Sequence, residues 1–176
     1  MDNVFEFLDD ALRLRADHFA LKHGGLYLLK PPTASDQGWD EDIDFKTGVL
    51  STSSEPAADL GLDPTFAGTW RISVIRKRPG NPFPDRISIG RARNCDVVLR
   101  LSFVSKLHAV VLQRPDGSFA LVDQGSANGT CHNGRKLDKG DPAPLNPGDK
   151  LEFGSLGVQL VDAAMLYETL RGLANR

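Results

Sequence analysis

Trp70-Arg71-Ile72-Ser73-Val74 alternates apolar and polar residues, and Arg86-Ile87-Ser88-Ile89 repeats the pattern sixteen positions on. This period of two is that of a strand with one face buried. Five more short runs follow, beginning at Asp96, His108, Phe119, Lys150 and Val158. Between them stand Pro79-Gly80, Pro115-Asp116-Gly117, Asn128-Gly129, Asn133-Gly134 and Pro147-Gly148-Asp149, all of them turn formers. Strands with no helices between them, punctuated at short spacing, predict an antiparallel β-sandwich over residues 67–162.

Outward from this block the texture changes. Val4, Phe5, Leu8, Leu12 and Phe19 recur at helical spacing before Gly24-Gly25, which predicts one amphipathic helix from Val4 to about Lys22. Leu26 to Leu29 reads as a short strand closed by Pro31-Pro32, so residues 1–30 form an amino-terminal unit of helix plus strand. Residues 31–66 are acidic and poor in large apolar side chains, the composition of a flexible linker. Trp39, Ile43 and Phe45 are its exceptions, placed to dock locally on the folded part. At the other end Ala163, Leu166, Leu170 and Leu173 share one helical face, predicting a carboxy-terminal helix over 163–176 that covers part of the sandwich.

Net charge is only -2, but it is divided unevenly. Residues 1–65 hold 5 Lys/Arg against 13 Asp/Glu, and residues 66–176 hold 16 against 10. The basic half suits anionic partners. Nucleic acid is one such partner, but no aromatic stacking platform accompanies the charge, and Phe103 alone does not make one. No stretch is long and apolar enough to span a bilayer, and Met1-Asp2-Asn3 opens no basic leader, so a cytoplasmic location without membrane contact is expected. Cys95 and Cys131 lack partners at ligand spacing, so no metal or other cofactor is expected.

Four elements in the β-rich half carry chemistry: Ile89-Gly90-Arg91, Ser105-Lys106-Leu107-His108, Asp123 to Thr130, and Asn133-Gly134. Loops at one end of a sandwich converge, so these can share a site. An arginine fork, a second cation and neutral donors suit a phosphate dianion, and an amide such as Asn128 can both donate to and accept from an extended peptide. Ser105 and His108 also have the makings of a nucleophile and base. On one strand, however, positions three apart face opposite ways, and no oxyanion-forming motif accompanies them, so no enzyme is expected.

This set resembles the forkhead-associated domain family, whose signature runs Gly-Arg, Ser-Arg-x-His, Ser-x-Asn-Gly-Thr and Asn-Gly. The resemblance covers residues 70–161 and includes the stretch from Leu145 to Gly154. It implies a module that binds threonine-phosphorylated peptides in Ser/Thr kinase signalling. Arg91, Ser105 and Lys106 would then contact phosphate, Lys106 as a point charge where the family often has arginine. Asn128 would hold the peptide backbone. Ala127 stands where many relatives carry a hydroxyl, leaving at most a backbone N–H there. Gly90, His108 and Gly129 would be architectural, and Phe103 and Val104 would lie where the family sets residue preference. The alternative is the same fold acting as an interaction scaffold without phosphate dependence. The family also often selects at the third position past the phosphothreonine, where Thr33 and Thr52 have Asp36 and Glu55, so the chain's own phosphorylated amino-terminal segment is a further expected partner.

Overall fold

The computed structural model describes residues 4–30 and 70–174. Two helices, α1 (Val4–Arg13) and α2 (Ala16–Lys22), precede β1 (Leu26–Lys30). Ten strands follow: β2 (Arg71–Ile75), β3 (Arg86–Gly90), β4 (Val97–Val98), β5 (Ala109–Gln113), β6 (Phe119–Asp123), β7 (Thr130–His132), β8 (Arg135–Lys136), β9 (Pro142–Leu145), β10 (Lys150–Phe153) and β11 (Leu156–Asp162). Helix α3 (Ala163–Ala174) closes the described chain. The strands form a six-stranded sheet, β2-β1-β11-β10-β7-β8, and a five-stranded sheet, β4-β3-β5-β6-β9. Every pairing is antiparallel except β3 with β4. The β-sandwich with a carboxy-terminal helix is therefore the observed architecture.

Between the sheets, Leu28, Ile89, Val97, Val111, Leu121, Leu151, Phe153 and Leu160 form the main core. A second core lies on the outer face of the larger sheet. There Phe7, Leu8, Ala11 and Phe19 from α1 and α2, with Leu166 and Leu170 from α3, cover Tyr27, Leu29, Ile72 and Val161. A strand buried on both faces has no solvated side, which explains the unbroken apolar run from Leu26 to Leu29.

Three expectations change. The amino-terminal helix is broken, because the chain turns at Leu14-Arg15 so that Leu8 and Phe19 can both pack on the sheet. The strand assigned to residues 1–30 pairs with β2 on one side and β11 on the other, so it belongs to the sandwich. Strands β7, β8 and β9 add to the expected set; β9 carries Pro142 and Pro144, and a strand at the edge of a sheet can turn alternate missing donors away from its single neighbour. The acidic stretch 31–66 and its Trp39, Ile43 and Phe45 lie outside the described residues. Among the described residues no helix is long and apolar enough to cross a membrane.

Candidate functional site

Three loops meet at one end of the sandwich: 91–96 after β3, 99–108 after β4, and 124–129 after β6. The first two are stitched directly, since the Arg91 and Ala92 amides donate to the Ser105 and Lys106 carbonyls at 2.9 and 3.0 Å. Gly90 permits this approach. A Cβ at that position would run into the Lys106 carbonyl oxygen, which belongs to backbone and cannot swing aside.

The third loop is held from within by Asp123 and from across by His108. The buried Asp123 carboxylate accepts the Gly125 and Ser126 amides on Oδ1, and the Ser126 and Thr130 hydroxyls on Oδ2, each at 2.6–2.9 Å. Burial pushes this carboxyl up, but hydrogen bonds from Ser126 and Thr130 outweigh it and hold it below the usual carboxylate range. His108, also fully buried, accepts the Ser105 N–H on Nδ1 at 3.1 Å. An amide can only donate, so the proton sits on Nε2, which donates to the Gly129 carbonyl at 3.0 Å. Burial lowers the pKa of the imidazole, against the Gly129 carbonyl and the Asp123 charge, and keeps it neutral near pH 7.

On this frame sit the exposed groups. Arg91 Nε donates to the Val104 carbonyl at 3.1 Å, which fixes the guanidinium while both terminal nitrogens stay available. The Ser105 hydroxyl accepts the Ala127 amide at 3.0 Å, so its own proton remains to be donated. The Asn128 amide nitrogen donates to the Phe103 carbonyl at 2.8 Å. Lys106 is exposed beside Ser105. Arg91, Ser105, Lys106, Ala127 and Asn128 are thus neighbours through the loops that carry them.

Some expectations need correction. Ser105 to Leu107 lie in an irregular, bent segment ahead of β5, so opposite strand faces do not separate Ser105 from His108. They meet through the Ser105 amide, while the hydroxyl engages Ala127. Val104 is 1% exposed within the main core, so its side chain is withdrawn from any ligand. Phe103 is half-buried, its carbonyl is taken by Asn128, and its ring lies against Gly154. Asn133 and Gly134 make the tight turn between β7 and β8 with φ of 51° and 80°, and Asn133 is tied to Asp149 and to the Lys150 amide. They brace β10 rather than join the loop cluster. Asp123 was legible only as the start of a motif, though an aspartate side chain readily accepts the amide two residues on, as it does here from Gly125. Asp96 passed as the first residue of a strand; its carboxylate gathers the Arg78 amide, the Asn81 side chain and both donors of Ser88. Among the described residues no group of three or more His, Cys, Asp or Glu side chains is arranged to hold a metal ion.

Fold and loop cluster together define a β-sandwich with a basic, donor-rich rim at one end. The FHA domain family model matches residues 87–154, and the chain carries a forkhead-associated domain. Over 105 residues it is 32% identical to the protein phosphatase 1 regulatory inhibitor subunit PPP1R8 homolog of Arabidopsis thaliana, covering 55% of this chain and 27% of that protein. It is 33% identical to the human angiogenic factor with G patch and FHA domains 1, covering 68% of this chain and 18% of that one. The chain therefore spans less than a third of either relative. Similar solved structures include the FHA-2 domain of a Mycobacterium tuberculosis ABC transporter, with 32% identity, TM-score 0.40, and coverage of 50% of this chain and 82% of that one. The MEK1 FHA domain in complex with a HOP1 phosphothreonine peptide is 24% identical, with TM-score 0.41 and coverage of 52% and 88%.

Proposed function

We propose that this chain is a binding module, not a catalyst, that captures threonine-phosphorylated peptides downstream of a Ser/Thr kinase in the cytoplasm. Arg91 and Lys106 would neutralise the phosphate, the Ser105 hydroxyl would donate to it, and Asn128 would bind the peptide backbone. One observation carries this reading. The Arg91 guanidinium is anchored through Nε with its fork open, in a loop stitched to that of Ser105, whose hydroxyl proton is uncommitted. A planar fork and an oriented hydroxyl suit a phosphate dianion. Calorimetric titration with a phosphothreonine peptide and its unphosphorylated twin tests it: only the first should bind, and Arg91→Ala should abolish most of the difference.

A second reading, a scaffold indifferent to phosphate, is favoured by the same loops. The Ala127 amide is already committed to Ser105 and one N–H of the Asn128 side chain to Phe103, so two donors that could serve a ligand are engaged within the protein. Equal binding of both peptides would support it. Where phosphate is read, Thr33, Thr47 and Thr52 of the same chain are ligands once phosphorylated, since tethering can supply an effective concentration on the order of millimolar. Competition between that phosphorylated chain and an external phosphopeptide measures this.

A further inference from the structure

On the outer face of the five-stranded sheet lies a groove of about 930 Å³. One wall is the loop between β2 and β3, with Pro82 and Phe83; the other includes Lys106 and Leu107; Ser88 and Val110 form the floor. Phe83 is 55% exposed and Leu107 46%, and among the described residues only Leu21 joins them as a large, exposed hydrophobic side chain. Both line this one concave surface. The groove is also basic. Arg78, Arg86 and Lys106 line it, with the Arg86 guanidinium 5.7 Å from the centre of the Phe83 ring. Its one carboxylate, Asp96, is occupied by the Arg78 amide, Asn81 and Ser88, which also fixes the wall in place.

We infer that this groove is the docking surface for residues 36–45 of the same chain, a stretch that need not be phosphorylated. Those ten residues hold five carboxylates, no cation, and three large apolar side chains, Trp39, Ile43 and Phe45. Their chemistry is the complement of the groove: apolar anchors for Phe83 and Leu107, and acids for Arg78, Arg86 and Lys106. The described topology puts the groove within reach of that stretch. The chain leaves the larger sheet at Lys30 and re-enters it at Arg71, the paired ends of β1 and β2. Strand β2 is the edge of its sheet and packs against β4, which neighbours β3 in the other sheet and lies beside the groove. Sheets stack about 10 Å apart. The nine steps from Lys30 to Trp39 reach roughly 30 Å when extended, and the return from Phe45 is far longer. Tethered at both ends, even a weak contact is filled.

Hydrogen exchange of the full chain, read by mass spectrometry, tests the assignment. Amides of residues 38–46 should exchange about tenfold more slowly in the parent chain than in Phe83→Ser/Leu107→Ser. Both substituted side chains are exposed, and an unchanged thermal transition would show that the core is intact. The reciprocal variant, Trp39→Ser/Phe45→Ser, should shift the Leu107 methyl resonances. Equal exchange in parent and groove variant overturns the inference, as do Leu107 methyls indifferent to the reciprocal change. Protection that disappears on dilution overturns it too, since the occupant would then be the segment of a second copy.

Discussion

The Ser105 hydroxyl accepts the Ala127 amide at 3.0 Å, one of the bonds that join the loop after β4 to the loop after β6, here across 22 positions. Ser105 therefore has two tasks in the proposed site, donating to phosphate and tying down the loop that presents Asn128. Ser105→Ala removes both. Binding of a phosphothreonine peptide should fall roughly tenfold, the scale of one hydrogen bond to a charged group. Amide exchange at Ala127 and Asn128 should accelerate in the free protein, which loss of a ligand contact alone would not cause.

Arg91 separates charge from geometry. Its fork stays open because Nε alone is used internally, on the Val104 carbonyl. Arg91→Ala should weaken phosphopeptide binding roughly tenfold to hundredfold. Arg91→Lys should fall between the two, keeping the cation without the planar fork. Calorimetry on the three proteins checks the order, and the exposed position predicts nearly equal melting temperatures.

His108 should make the free domain pH-sensitive. Burial lowers its folded-state pKa below the ordinary value near 6.5, so the unfolded chain binds the extra proton more readily. This contribution to stability is complete above about 6.5, is lost progressively as pH falls below it, and levels off under the folded pKa. Protonating Nδ1 would also strip the Ser105 amide of its acceptor. Denaturant titrations between pH 7.5 and about 5 should show the loss, and His108→Gln should flatten it. The depressed carboxyls of Asp96, Asp123 and Asp149 work in the same sense about their own ordinary value of 3.8: their contribution is present above it and lost as pH falls below it, a separate and more acid window.

Ligand binding should fall with pH for a different reason. The phosphate takes up its second proton near pH 6 and becomes a monoanion, weakening its attraction to Arg91 and Lys106. Affinity measured from pH 7.5 to about 5.5 should decline in His108→Gln as well as in the parent chain, because the titrating group belongs to the ligand. A flat profile in both would mean that phosphate is not what is recognised.

Much of this was legible because it is local. The alternation at Arg86-Ile87-Ser88-Ile89 became β3, the Asn133-Gly134 turn a tight hairpin, and the loop motifs marked neighbouring groups. What escaped depends on distant partners. Leu26 to Leu29 reads as an isolated strand because β2 begins forty residues later, and nothing nearby announces that pairing. Val104 sits in a loop between Phe103 and Ser105, where no strand or helix period marks it as core, yet the loop folds back and buries it. Asp96 and Asp123 carry no special spacing to their donors; only the folded chain brings amides and hydroxyls around each carboxylate.

The position of β1 between β2 and β11 has a consequence for where this domain can be divided. The family match begins at Ile87, but a fragment starting there, or even at Trp70, lacks the strand that bridges two others and the helices that cover its outer face. Conversely, a protease site engineered between Pro31 and Gly68 should cut the backbone without separating the pieces. The amino-terminal fragment would remain bound through the β1 ladders on both sides and through Phe7, Leu8 and Phe19, and the two halves should co-elute until denatured. The platform beneath the recognition loops is thus a non-contiguous assembly, completed by a segment far from them in the chain.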